Sequence, residues 1–198
     1  MSARSRMLPA ALLAALLVAS ACAQSRPSPA RGLQADGDVP VDPQVMAYLS
    51  LARARHHEAN LDEDSDVPGA IAALEKLTSA ERPHRGALVP EIEEVLADTY
   101  AREAELYVRL GNTAKAQAAV REGLTHATEP SYFRGHLLEV GGIVEETRAA
   151  ALRDAGQPGE AAAAKARALD LLHQAVLVQE RVIHDSLGEP ATGSGGGR

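Results

Sequence analysis

Tryptophan is absent, phenylalanine occurs once and cysteine once. A lone cysteine excludes an intramolecular disulfide, so the fold has no covalent staple in any redox compartment. The shortage of large rings excludes a core built on aromatic burial, which carries the largest payload per residue. Basic side chains are also scarce, with 20 Lys and Arg against 27 Asp and Glu and a formal charge of −7. Without a basic stripe, no nucleic acid is expected as a partner, because phosphate contacts dominate that affinity. Charge alone would not hold the chain on an anionic lipid surface either. No Gly-x-Ser-x-Gly, phosphate loop or nucleotide fingerprint is present, so neither enzymatic activity nor a cofactor is expected. What the chain has in quantity is alanine, a strong helix former whose small side chain lets helices approach closely.

The one cysteine, Cys22, closes an N-terminal segment of recognisable order. Arg4 and Arg6 come first, then the uncharged stretch Met7 to Ala21, then Cys22. A basic start, an apolar run and small residues make a secretory signal peptide over 1–21. Ala19-Ser20-Ala21-Cys22 resembles the lipobox of bacterial lipoproteins, although that family prefers Leu where Ala19 stands. The resemblance implies cleavage before Cys22 and lipidation of its thiol. Ala23 follows in place of the Asp that retains such proteins at the inner membrane, which implies an outer-membrane lipoprotein facing the periplasm. Two alternatives stay open. Cleavage after Ala21 or Ala23 would release a soluble periplasmic or secreted protein. An uncleaved anchor is the other, although about 15 apolar residues fall short of the roughly 20 a spanning helix needs. Loss of Arg4 and Arg6 with the leader would take the charge from −7 to −9.

Residues 22–42 are rich in Pro, Gly, Ser and Asp and read as a lipidated cysteine followed by a flexible tether. Residues 188–198, GEPATGSGGGR, read as a disordered tail. The stretch between, 43–187, is helical throughout, with no alternating strand pattern. Asp42-Pro43 opens a first helix to about Asn60. Asp66 caps a second, ending before Pro83. The third starts near Pro90 and stops at Gly111. Asn112 or Thr113 starts the fourth, which ends before Pro130. The fifth runs from about Ser131 to Ala155 and the sixth from about Gly159 to Leu187. Short connections make neighbours antiparallel, giving an all-α fold of three helical hairpins.

The hairpins repeat. Ala70, Ala116 and Ala161 each open a second helix, at intervals of 46 and 45 residues. Gly111, Ala116, Val120, Gly123 and Leu124, with Ala104 and Tyr107 upstream, resemble a tetratricopeptide repeat. Ala149, Leu152, Gly156, Ala161, Ala168 and Leu169 match the same pattern, with Lys165 where a bulky apolar residue belongs. The first unit has Ser65 in place of the glycine. The period exceeds the family's 34 residues. The resemblance implies a right-handed array with a concave groove for a protein or peptide. A compact bundle of the same hairpins is the architectural alternative.

Several polar clusters could carry chemistry, and each has a plainer reading. His56, His57, Glu58 and Glu63 join Asp62, Asp64 and Asp66, whose spacing opens like a calcium loop. The sixth and twelfth positions are Val67 and Ala73, so an EF-hand cannot close and a solvated turn is expected. His173, Glu180 and His184 share a face of the last helix, but no Glu-x-x-His partner helix completes a metal bundle, so no metal is expected. Glu93-Glu94 and Glu145-Glu146 are read as exposed helix faces. Gly141-Gly142, inside the fifth helix, points to close packing against a neighbour within the fold, with a bend or a surface for an approaching helix as the alternative. The sixth helix carries two apolar stripes, which predicts a central position in the fold or a covered outer face.

The expected function is a membrane-anchored scaffold or adaptor that binds a protein of unidentified kind. Tyr100, Tyr107, Tyr132 and Phe133 are the best candidate anchors, because aromatics dominate interface energetics; the core is their competing place. The alternatives are a structural or assembly-factor lipoprotein that self-associates as a homodimer through its last helix, and a metal-binding bundle.

Overall fold

The computed structural model describes residues 42–187, Arg85 excepted. The leader, Cys22, the tether and the tail lie outside the described residues. Six α-helices and no strands occur among those described: α1 (Pro43–Asp62), α2 (Val67–Thr78), α3 (Pro90–Arg109), α4 (Thr113–His126), α5 (Tyr132–Asp154) and α6 (Pro158–Leu187). All lie in one compact unit.

Local chemistry fixes the helix ends. Asp42 accepts from the Gln44 amide at 2.7 Å, Asp66 from Gly69 at 3.1 Å, Asn112 from Lys115 at 3.1 Å and Ser131 from Arg134 at 3.2 Å. Each satisfies an amide that the first turn leaves without a partner. Gly111 and Gly156 close α3 and α5 at φ 69° and 73°, a backbone region open to glycine without steric cost. Around each, two amides return to the helix. Asn112 N–H reaches Tyr107 O at 2.9 Å and Gly111 N–H reaches Val108 O at 2.8 Å. Gln157 and Gly156 repeat this on Leu152 and Arg153, at 2.9 and 3.0 Å. This is the Schellman ending. Asn112 belongs to both helices, closing α3 and capping α4. The first hairpin, with Ser65 and no glycine, turns by a different route, Asp66 N–H to Asp62 O at 2.6 Å.

The hairpins stack in chain order. α3 is the centre and touches α1, α2, α4 and α5. α5 touches α3, α4 and α6. Among the described residues α6 packs on α5 alone. A closed bundle would bring the last hairpin onto the first; here contacts run only between successive hairpins, as in repeat arrays. The main core joins Ala70, Leu74, Ala101, Leu106, Val120, Leu137 and Val144. A smaller cluster of Tyr48, Leu77, Ile92 and Leu96 fastens α1 to the start of α3.

Small residues set the closest approaches. A Cβ on Gly123 would stand 2.6 Å from Leu137 and 3.0 Å from Tyr100 Cβ, so this glycine lets α4 press against both α3 and α5. A Cβ on Gly142 would meet Leu172 at 2.6 Å. The paired glycines of α5 thus serve close packing inside the fold, against α6 and Val120. This also overturns the central position expected of α6. Its buried side chains are all alanines, Ala161, Ala164, Ala168 and Ala175, and a single glycine-bearing neighbour covers them.

Candidate functional site

The first helices of the three hairpins, α1, α3 and α5, share one polar cleft of about 570 Å³. It is lined by His56 and Asn60 of α1, Glu63 at the C-cap of α1, Asp98, Arg102 and Glu105 of α3, and His136 of α5. Steps of three and four along each helix put these residues on one face. A second recess of about 300 Å³ shares Glu63, Arg102 and Glu105 and extends to Val108, Val140 and the exposed Ile143. The groove therefore has a charged half and a more apolar half. A larger cleft, about 610 Å³, lies under the α2–α3 connection and draws on no other part of the fold.

Arg102 organises the charged half. It pairs with Glu63, reaches Glu105 at 3.5 Å and donates to Asn60 Oδ1 at 3.3 Å. Across the groove His136 Nε2 stands 3.5 Å from Glu105. The two histidines are biased in opposite directions. Burial lowers the His56 pKa, with Asp98 opposing. Its Nε2 lies 2.9 Å from Thr99 Oγ1, whose own hydrogen goes to Val95 O at 2.6 Å. Nε2 is therefore the donor, which defines the tautomer of a neutral ring. The hydrogen bond to Glu105 raises the His136 pKa, with Asp98 and Glu139 adding to it, and the same bond lowers that of Glu105. The arrangement presents fixed charges of both signs and a protonatable ring. It contains no nucleophile activated by a base. No group of His, Cys, Asp and Glu suited to a metal occurs among the described residues.

The four aromatic candidates form no single exposed surface, although Tyr132 and Phe133 meet edge to face with centroids 5.6 Å apart. Tyr107 is 7 % exposed and belongs to the core, where its hydroxyl donates to Glu75 at 2.6 Å. Tyr100 is half-buried and stacks on His126 with centroids 5.6 Å apart. Phe133 lines a recess between the α4–α5 connection and the start of α3. Tyr132 is 64 % exposed and lies beside His136, with ring centroids 6.1 Å apart, so it alone borders the groove. The acidic cluster of the first turn divides. Asp66 caps α2, Asp64 reaches Arg109 at 3.5 Å, Glu58 pairs with Arg55 at 2.6 Å, and His56 and Glu63 join the groove. Two carboxylates expected on exposed faces are not there. Glu93 pairs with His126 at 2.5 Å. Glu145 is buried between Arg167 at 2.9 Å and Gln117, linking α4, α5 and α6. Glu94 and Glu146 are exposed.

No described helix is long and apolar enough to cross a membrane. No family model matches the chain. Ribosome-binding factor A of Mycolicibacterium smegmatis is 36 % identical over 84 residues, covering 38 % of this chain and 54 % of that protein. The chain thus spans about half the length of this curated relative. No solved structure matches.

Proposed function

We propose that this chain is an envelope lipoprotein, anchored through Cys22, whose helical domain binds a partner polypeptide in the groove across α1, α3 and α5. One observation carries the binding role. Seven polar or charged residues from three separate hairpins converge on one cleft instead of dispersing into solvent. The tetratricopeptide-like turns at Gly111 and Gly156 support the same reading, since stacked repeats create extended concave binding surfaces. The lipid holds near the membrane a domain whose own surface has no means of staying there. The name of the M. smegmatis relative raises ribosome binding as a reading for this chain. The excess of acidic over basic residues opposes it, because ribosomal RNA selects cationic surfaces.

A photo-crosslinking residue at Asp98, in the groove, is compared with one at Ala118, on the exposed side of α4, in the full chain expressed in its native host. A discrete adduct from position 98 and none from 118 is expected. Equal labelling from both positions overturns the groove. Fractionation of Cys22→Ser tests the anchor separately: release from membranes is expected, and unchanged retention without acyl labelling in either form refutes it.

A further inference from the structure

The last helix leaves one row of larger apolar residues exposed. Leu169, Val176 and Ile183 are 61 %, 49 % and 56 % exposed and fall at steps of seven, continuing the line of Ala162. Single exposed leucines are ordinary on protein surfaces. A row at heptad spacing is the seam of a helix pair. The repeat shows what such a face does elsewhere in this chain. Leu124, 45 residues before Leu169, is packed into the core, and Val120, 45 before Lys165, is buried beneath Gly141 of α5. In α4 the next hairpin covers these positions. In α6 nothing among the described residues does. A terminal repeat ordinarily presents a polar outer face.

Charge on the same row identifies the occupant. Ala162, Lys165, Leu169, Val176, Glu180 and Ile183 lie within about 60° of arc at 100° per residue. Their order is a palindrome in position and opposite in charge, centred between Leu172 and His173. We infer that α6 pairs antiparallel with α6 of a second copy of this chain, forming a twofold homodimer. Leu169 then faces Val176 of the partner subunit, Ala162 faces Ile183 of the partner subunit, and Lys165 faces Glu180 of the partner subunit, each contact occurring twice. A parallel pair would set Lys165 on its own copy and Glu180 on its own copy, so like charges exclude it. Neither Lys165 nor Glu180 makes an ion pair among the described residues, so both are available. The inference stands apart from the groove and from its ligand.

The test uses the full chain bearing Cys22→Ser, held in the same detergent for every variant so that residues 7–21 contribute equally. Sedimentation equilibrium is expected to give twice the chain mass at high micromolar concentration. Lys165→Glu should weaken the dimer about tenfold, and adding Glu180→Lys to it should restore affinity to within about threefold, because only the exchanged pair recovers opposite charges. Leu169→Asp should give a monomer with unchanged helical circular dichroism, since the side chain is exposed. A monomeric parent chain, a mass above two copies, or a charge exchange that fails to rescue would each overturn the antiparallel dimer.

Discussion

The middle of the domain and its last hairpin solve the same packing problem with different residues. Around α3, leucines and isoleucines are buried: Leu74, Leu77, Ile92, Leu96, Leu106 and Leu137. On α6 the fully buried residues are all alanines, while Leu171, Leu172 and Val178 are half-buried against the glycines of α5 and Leu169 faces out. Both arrangements are helical and well satisfied. They differ in what they leave free. A core of large side chains uses up the hydrophobic face of each helix. A small-residue seam closes two backbones together and leaves a second, larger apolar stripe on the other side. Hydrophobicity alone does not tell which stripe of α6 is buried: the alanines go fully under, while Leu171 and Leu172 lie against Gly141 and Gly142.

Truncation should separate the two regions most clearly. Leu137→Ala empties a fully buried site between α4 and α5 and should cost about 2–5 kcal/mol of unfolding free energy. Leu169→Ser on α6 should change it by less than about 0.5 kcal/mol in dilute solution. Denaturant titration of both variants checks this, and equal losses would erase the contrast.

Charge gives the second separation. Glu103 of α3 is 5 % exposed, whereas the acidic residues of α6 are solvated. Burial first, and Glu75 beside it second, push the Glu103 carboxyl from its ordinary 4.5 up to about 7, against a hydrogen bond from Thr78. Between those values the folded chain binds more protons than the unfolded one, so this group's contribution to stability falls as pH rises through the window. Glu103→Gln should therefore stabilise at pH 8, by up to about 3 kcal/mol, and the gain should shrink towards pH 5. Thermal melts across that range decide it; a flat difference for Glu103→Gln would mean that the carboxyl is not held in its neutral form.

The smallest effect sharpens the role of the glycines. Gly123→Ala places a Cβ against Leu137, which is fully buried and cannot yield, and should cost about 1–3 kcal/mol despite the better helix propensity. Gly142→Ala meets Leu172 Cγ at 2.6 Å and the Ala168 carbonyl at 3.3 Å, but Leu172 is only half-buried, so the cost should be smaller, about 1–2 kcal/mol. Calorimetry of the two variants ranks them.

The helix ends were legible because capping is local. Asp42, Asp66, Asn112 and Ser131 each act within three residues of themselves, and Gly111 and Gly156 carry their own backbone geometry. The groove was hidden for the converse reason. His56, Asn60, Asp98, Arg102 and His136 read as solvated helix faces until three hairpins are stacked, and stacking depends on residues far apart in sequence. The usable signal was the alternation itself: once the hairpins are paired, the polar faces of the first helices must converge. Tyr107 takes the competing place that the sequence offered it: its ring is core, and its hydroxyl finds Glu75 on another helix. Glu93 and Glu145 lie off the exposed faces expected of them because the partners that cover them, His126 and Arg167, lie 33 and 22 residues away.

The twin turns at Gly111 and Gly156 have a consequence for how this chain can vary in length. Both end a first helix with the same pair of returning amides, and the residues that follow open a second helix five positions on with an alanine. Excising residues 112–156 would therefore join Gly111 to Gln157 through an unchanged corner, with Ala161 arriving where Ala116 had been. The two corners are thus alike in backbone while the helices they join are not: α6 packs on the glycines of α5, and α3 has none.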